Sequence, residues 1–351
     1  MCFLIGEKLQ MIASPFQKNL ILDKYSERKI TMKRIIFIMP WFGPLRKDFD
    51  FWLKSAELNR SVDFLVPTDQ YIKTPPNNVK VIKTNLTFVE TLAKKYVWEG
   101  SIISKPYKMC DYKVAYGEMF QEYIKEYDFW GHCDADMIFG NIRNYVTDEL
   151  LDKYDRLGVD GFFSLFRNNP EINCIYRKAG DIKEIFTDQK PFGFDEWGLN
   201  HNGTAHYWMN NLKDRVWLDK VFDNLAPYHY GFFSGTVRKF NLGIKKIMFS
   251  FENGKLFRYG IKDGKVVKDE SLYVHIQKRP VYVETPVSDF FSIVPPGRFV
   301  PYVKNITPFY LRTHVREGRL WTYYTLIRNK INKIFGQPAW SNTVLFPNQD
   351  M

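Results

Sequence analysis

The feature that most constrains this chain is an alternation of short apolar runs and helical spacing that begins at Met32. In MKRIIFIMPWFG a β-branched run at residues 34–39 is closed by Pro40 and Gly43, and comparable runs follow at residues 62–66 and 79–83. Between the first two, LRKDFDFWLKSAELN places Phe49, Trp52, Leu53 and Ala56 at the spacing of one helix face. Residues 112–127 read as a second helix and residues 128–133 as a buried strand. This order of elements predicts a parallel sheet with helices packed on its faces. Ligands of such sheets bind beyond the carboxyl ends of the strands.

That edge is where FWGHCDADMIFGNI, residues 129–142, changes character. An apolar run drives into Asp134 and Asp136, one residue apart, and then turns apolar again. A carboxylate taken out of water must be paired or neutralised. Two aspartates at a strand end can turn oxygens toward a hard divalent ion, and Mg²⁺ or Mn²⁺ shares such ligands with substrate phosphates. Acidic turns and helix caps also produce a D-x-D, but the apolar flanks favour the metal site.

Composition limits the remaining classes. A chain of 351 residues with 45% hydrophobic and 17% aromatic content has the material for one large α/β core, which argues against disorder. Cys2, Cys110, Cys133 and Cys174 are scattered without a CxxC pair, so neither a disulfide framework nor a thiolate zinc site is expected, and a reducing cytoplasm fits best. No run approaches the roughly 18 to 20 apolar residues of a membrane span, and the N-terminus lacks the order of a signal peptide. The net charge is +11, and residues 301–351 hold seven Lys or Arg against two acidic residues. The basic residues form no recognisable nucleic-acid motif and the sharpest motif is acidic, so no nucleic-acid partner is expected.

Further along, residues 160–166 read as a strand and residues 180–187 as a short helix. KIMFSFENGKLFRYGIKDGKVVKDESLYVHIQ reads as a β-meander with Asn253-Gly254 and Asp263-Gly264 as its hairpin turns. Proline thickens through residues 280–308, which suggests a connection rather than a core element. RLWTYYTLIRNKINKIF is an amphipathic helix with Leu320, Tyr324, Ile327, Ile331 and Ile334 in one stripe and Arg319, Arg328, Lys330 and Lys333 as its basic residues. Such a stripe either packs on its own domain or lies on an anionic membrane.

FWGHCDADMIFGNI resembles the DXD region of GT-A-fold glycosyltransferases, and more narrowly a bacterial family associated with surface (capsular or lipopolysaccharide) polysaccharide genes. IIFIMPWFG, FLVPTD, KPYKMCDYKVAYG and YVHIQK extend the likeness, in order, over roughly residues 33–280. It implies an α/β GT-A-like Rossmann-type mixed sheet with helices on both faces, the late meander and the C-terminal helix. The domains would be an extension at residues 1–31, a transferase domain at 32–300 and a basic helical tail at 301–351. The activity implied is transfer of a sugar, a hexosyl group by expectation, from a nucleotide-sugar donor to a glycan or lipid-linked acceptor, with Mn²⁺ or Mg²⁺. Thr68, Asp69, Asp111, Lys113 and Asp134 would serve the donor, and Asp134, Asp136 and His275 the metal. The expected location is the cytoplasm, at the inner face of the cytoplasmic membrane if the tail binds lipid.

The segment FGFDEWGLNHNGT is the expected acceptor side. Asp195 and Glu196 are candidate catalytic carboxylates for the acceptor hydroxyl, Trp197 offers a flat face to a sugar ring, and His201 follows closely. Arg167, Lys278 and Arg279 are candidates to meet phosphate oxygens. The main competing reading is a non-catalytic carbohydrate-binding relative of the same fold.

Overall fold

A computed structural model describes residues 32–198, 201–218, 221–226, 229–233, 243–277 and 279–334. The chain divides into two compact units, Met1–Lys33 and Arg34–Met351, and the fold below is that of the second. The expected extension at residues 1–31 lies outside the described residues.

The first eight strands are β1 (Ile35–Ile38), β2 (Val62–Thr68), β3 (Val79–Lys83), β4 (Phe129–Cys133), β5 (Met137–Phe139), β6 (Arg156–Asp160), β7 (Phe163–Arg167) and β8 (Val216–Trp217). Seven of them form the central sheet, in the order β3-β2-β1-β4-β7-β6-β8. β3, β2, β1 and β4 are parallel, whereas β7 runs antiparallel to both β4 and β6. The α/β mixed sheet is thus present, with β7 reversed against its neighbours and β8 again parallel to β6.

Both faces of this sheet are covered, which explains why β1 and β4 read as unbroken apolar runs. Ile36, Ile38 and Trp130 point into a core shared with Val89, Ala93, Tyr116 and Trp208. Ile35, Phe37 and Phe129 point into the other, with Phe49, Trp52 and Ala56 of the helix Phe49–Glu57. Phe51 of that helix turns the opposite way, its ring 4.8 Å from Phe291 and 4.5 Å from Phe299 in a second sheet. One helix therefore locks two sheets together.

That second sheet contains the expected meander, β10 (Lys245–Glu252), β11 (Lys255–Lys262) and β12 (Lys265–Ser271), all antiparallel; β9 (Asp223–Asn224) precedes it. Asn253, Gly254, Asp263 and Gly264 all have positive φ, as two-residue hairpin turns require. After β13 (Tyr273–His275), the strands β14 (Tyr282–Val283), β15 (Phe290–Val294) and β16 (Arg298–Pro301) complete the order β12-β11-β10-β15-β16-β14.

Three expectations are corrected. The proline-rich stretch is not a mere connection, because β15 pairs with β10 and buries Phe291 and Ile293 completely. Residues 112–127 are not one helix but short turns, including Tyr116–Met119 and Gln121–Ile124. A Cβ on Gly117 would lie 2.6 Å from the Trp130 ring, so this segment is bent to seat flat on the sheet. Residues 160–166 are not one strand but a hairpin turning at Gly161 and Phe162 between β6 and β7. The short helix is present as Ile182–Thr187, its first amides capped by the Asp181 side chain.

The helix Arg319–Ile334 is formed, with Leu320, Tyr324, Ile327, Ile331 and Ile334 all exposed. No helix among the described residues is long and apolar enough to cross a membrane.

Candidate active site

The site is made where β4 stops. Asp134 donates its backbone N–H to Phe162 O at 3.1 Å, and the chain then turns back as β5. β5 pairs antiparallel with β13, setting His275 opposite Met137, while Ile276 N donates to the Asp136 carbonyl at 2.9 Å. This register carries a histidine from 139 residues downstream to the aspartates by backbone pairing alone. Potential ligand atoms of Asp134, Asp136 and His275 all lie within 4.8 Å of one another.

His275 is held from behind. Its Nδ1 is 3.0 Å from Asn224 Oδ1, and its ring lies 4.6 Å from that of Phe162. With Oδ1 as acceptor, Nδ1 carries the proton and Nε2 turns its lone pair to the aspartates. Nε2 is 3.0 Å from Asp136 Oδ1 and 3.9 Å from Asp134 Oδ2. Asp136 Oδ1 is buried and receives no hydrogen bond. Two atoms that both offer lone pairs at this distance require a proton or a cation between them. A set of two carboxylates and one imidazole whose ligand atoms lie this close is of the chemical kind that would hold Mg²⁺ or Mn²⁺. Burial alone would push the Asp136 carboxyl up, but His275, when a proton on Nε2 stands in place of a metal, and Arg46 hold it below the usual carboxylate range.

Lys113 closes the other side. Its Nζ donates to Asp134 Oδ1 at 2.6 Å and to Gly161 O at 2.7 Å, and lies 3.5 Å from Asp195 Oδ2. Gly161 N donates in turn to Glu196 Oε1 at 3.1 Å. A Cβ at Gly161 would stand 2.4 Å from Asp195 Oδ2, so only glycine lets the acidic pair approach this hairpin tip. Burial pushes the Asp195 carboxyl up to about 7, against the pull of Lys113. A cavity of about 660 Å³ is lined by Lys105, Tyr107, Lys108, Asp188 and Lys190 among others.

The remaining expected residues have other surroundings. Asp111 is wholly buried: it pairs with Lys108 at 2.8 Å and accepts from the backbone amides of Phe192 and Phe194, anchoring the loop before Asp195. Thr68 is buried at the end of β2, where its hydroxyl accepts from Gln70 N. Asp69 is half-buried and holds the turn at Gly43, accepting its N–H at 2.9 Å. Arg167 binds Asp155 at 2.6 Å and nearby carbonyls, and buried Arg279 donates to the carbonyls of Ala226, Tyr230, Gly231 and Pro296. Neither is turned to a phosphate. Lys278 lies outside the described residues, Trp197 is exposed, and His201 is exposed with a φ of 62°. Sequence reading missed Asn224, which pairs in β9 beside His275, and Phe162, Gly161 and Arg46, which lie in turns and loops; none carries a motif.

Where β4 ends, two carboxylates and an imidazole form a group that could hold a metal ion. The chain belongs to a family of unknown function, DUF6625, whose family model matches residues 37–301. No curated protein matches the sequence. Solved structures with a likeness include the galactosyltransferase LgtC in complex with donor and acceptor sugar analogues, at 12% identity and a TM-score of 0.32, covering 55% of this chain and 76% of that one. Another is the apo form of mouse xyloside xylosyltransferase 1, at 10% identity and a TM-score of 0.33, covering 55% of this chain and 89% of that one.

Proposed function

We propose that this chain is a metal-dependent glycosyltransferase that moves a sugar, a hexosyl group by preference, from a nucleotide-sugar donor to a glycan or lipid-linked acceptor in bacterial surface polysaccharide synthesis. The observation that supports this reading is the meeting of Asp134, Asp136 and His275 at the strand ends, with Asp136 Oδ1 buried and 3.0 Å from His275 Nε2. Mn²⁺ or Mg²⁺ held there would neutralise the departing diphosphate as a Lewis acid. Lys113 orients Asp134 and keeps Asp195 beside it. Asp195, with its proton affinity near neutrality, takes the proton from the acceptor hydroxyl. Glu196, tied to Gly161, fixes the loop on which Trp197 offers its ring to a sugar. The exposed stripe of the helix Arg319–Ile334, with Arg328 and Lys330 among its polar positions, suits shallow binding to an anionic bilayer at the inner face of the cytoplasmic membrane.

The test is thermal stabilisation by a panel of nucleotide-sugars with and without Mn²⁺, followed by donor hydrolysis. One donor that stabilises only with Mn²⁺ and is slowly hydrolysed is the expected result. Binding without hydrolysis would favour a non-catalytic carbohydrate-binding relative, and no response to any pairing would remove the transferase reading.

A further inference from the structure

We infer that Arg46 is a diphosphate-binding residue, held ready by Asp48 beside Asp136; the assignment rests on the transferase reading above. Arg46 lies in the loop after β1, which is parallel to β4, so this loop and Asp134 leave the sheet at the same edge. The loop is fixed at both ends. Asp69 holds the Gly43 amide, and Arg46 O accepts from Phe49 N at 3.1 Å where the helix Phe49–Glu57 begins.

The guanidinium is presented in one orientation. Nε and Nη2 donate to the two oxygens of Asp48, each at 3.0 Å, a fork that fixes the plane of the group. The third nitrogen, Nη1, lies outside the fork and stands 4.0 Å from Asp136 Oδ2. That separation is too long for a hydrogen bond, so Asp136 does not use up its two N–H groups. Asp48 is 1% exposed and occupies the N-cap position of its helix, yet makes no side-chain cap bond. A cap is ordinarily worth about 0.5–2 kcal/mol. The carboxylate forgoes it and holds the arginine instead, which an arginine needed only for surface charge would not require.

The chemistry of the ligand follows from what faces Nη1. Once a divalent ion balances Asp134 and Asp136, Nη1 keeps N–H groups that the Asp48 fork does not use and that suit phosphate oxygens.

Calorimetry on the full chain tests this with Mn²⁺ alone and with inorganic pyrophosphate in the presence of Mn²⁺, comparing wild type, Arg46→Gln and Arg46→Lys. Arg46→Gln removes a cation from beside the acidic cluster, so Mn²⁺ alone should bind as well or better. Pyrophosphate affinity should fall about tenfold or more, and Arg46→Lys, which keeps the charge but loses the fork, should fall between. A purely structural role would weaken both ligands together and overturn the assignment. Should Arg46→Gln fail to fold, Arg46→Lys decides by the same comparison. Pyrophosphate binding equal in the folded variants and wild type overturns the Arg46 assignment alone, whereas a wild type that takes up no Mn²⁺ overturns the metal reading beneath it.

Discussion

His275 Nε2 stands 3.0 Å from Asp136 Oδ1 while its other ring nitrogen stands 3.0 Å from Asn224 Oδ1. The imidazole thus bridges a partner behind it and a carboxylate in front. Asn224 Oδ1 is also within hydrogen-bonding reach of Gln277 Nε2, which fixes the amide as an acceptor. Asn224→Ala should therefore free the ring and lower Mn²⁺ affinity by about 10–100-fold, as the loss of a partner behind a metal ligand commonly does. Titration calorimetry reads it; unchanged affinity would mean His275 is no ligand.

Asp136→Ala is expected to abolish both turnover and Mn²⁺ binding while leaving the metal-free fold intact, since the side chain lines the cluster and packs against no core. In wild type, Mn²⁺ at 100 times its dissociation constant should add about 2.7 kcal/mol of stability. The variant should show no such rise in melting temperature, and a retained rise would remove Asp136 from the metal set.

Asp195 gives a pH dependence whose sign is fixed. Its folded pKa is raised to about 7, whereas an unfolded aspartate titrates near about 3.9. Between these values the native state holds a proton that the unfolded chain has released, so this residue's contribution to stability falls as pH rises from about 4 to about 7. Asp195→Asn should flatten that portion of the melting curve series in metal-free protein. Turnover, which needs the carboxylate form, should rise through neutrality in wild type.

The exposed apolar stripe of the helix Arg319–Ile334 predicts flotation with anionic liposomes and not with neutral ones. A chain ending near Pro308 should stay at the bottom of the gradient. Equal flotation of the two chains would exclude this helix as the contact.

Local physics was legible in the sequence. Strands buried on both faces show as continuous apolar runs, so β1, β2 and β4 could be read directly, and the turn chemistry of Asn253-Gly254 and Asp263-Gly264 specifies hairpins whatever surrounds them. Asp134 and Asp136 stood out because charge at the end of such a run needs a partner. Long-range pairing decided the rest. Nothing near residue 275 announces that β13 will pair with β5, and nothing near Asp111 shows that its oxygens will be consumed by Lys108 and the amides of Phe192 and Phe194. The seating of Asp195 depends on Gly161 lacking a side chain, and the orientation of Arg46 on a carboxylate that leaves its own helix uncapped. Residue type and spacing set what a segment can bury or turn, whereas which donor finds which acceptor depends on the register of strands far apart in the chain.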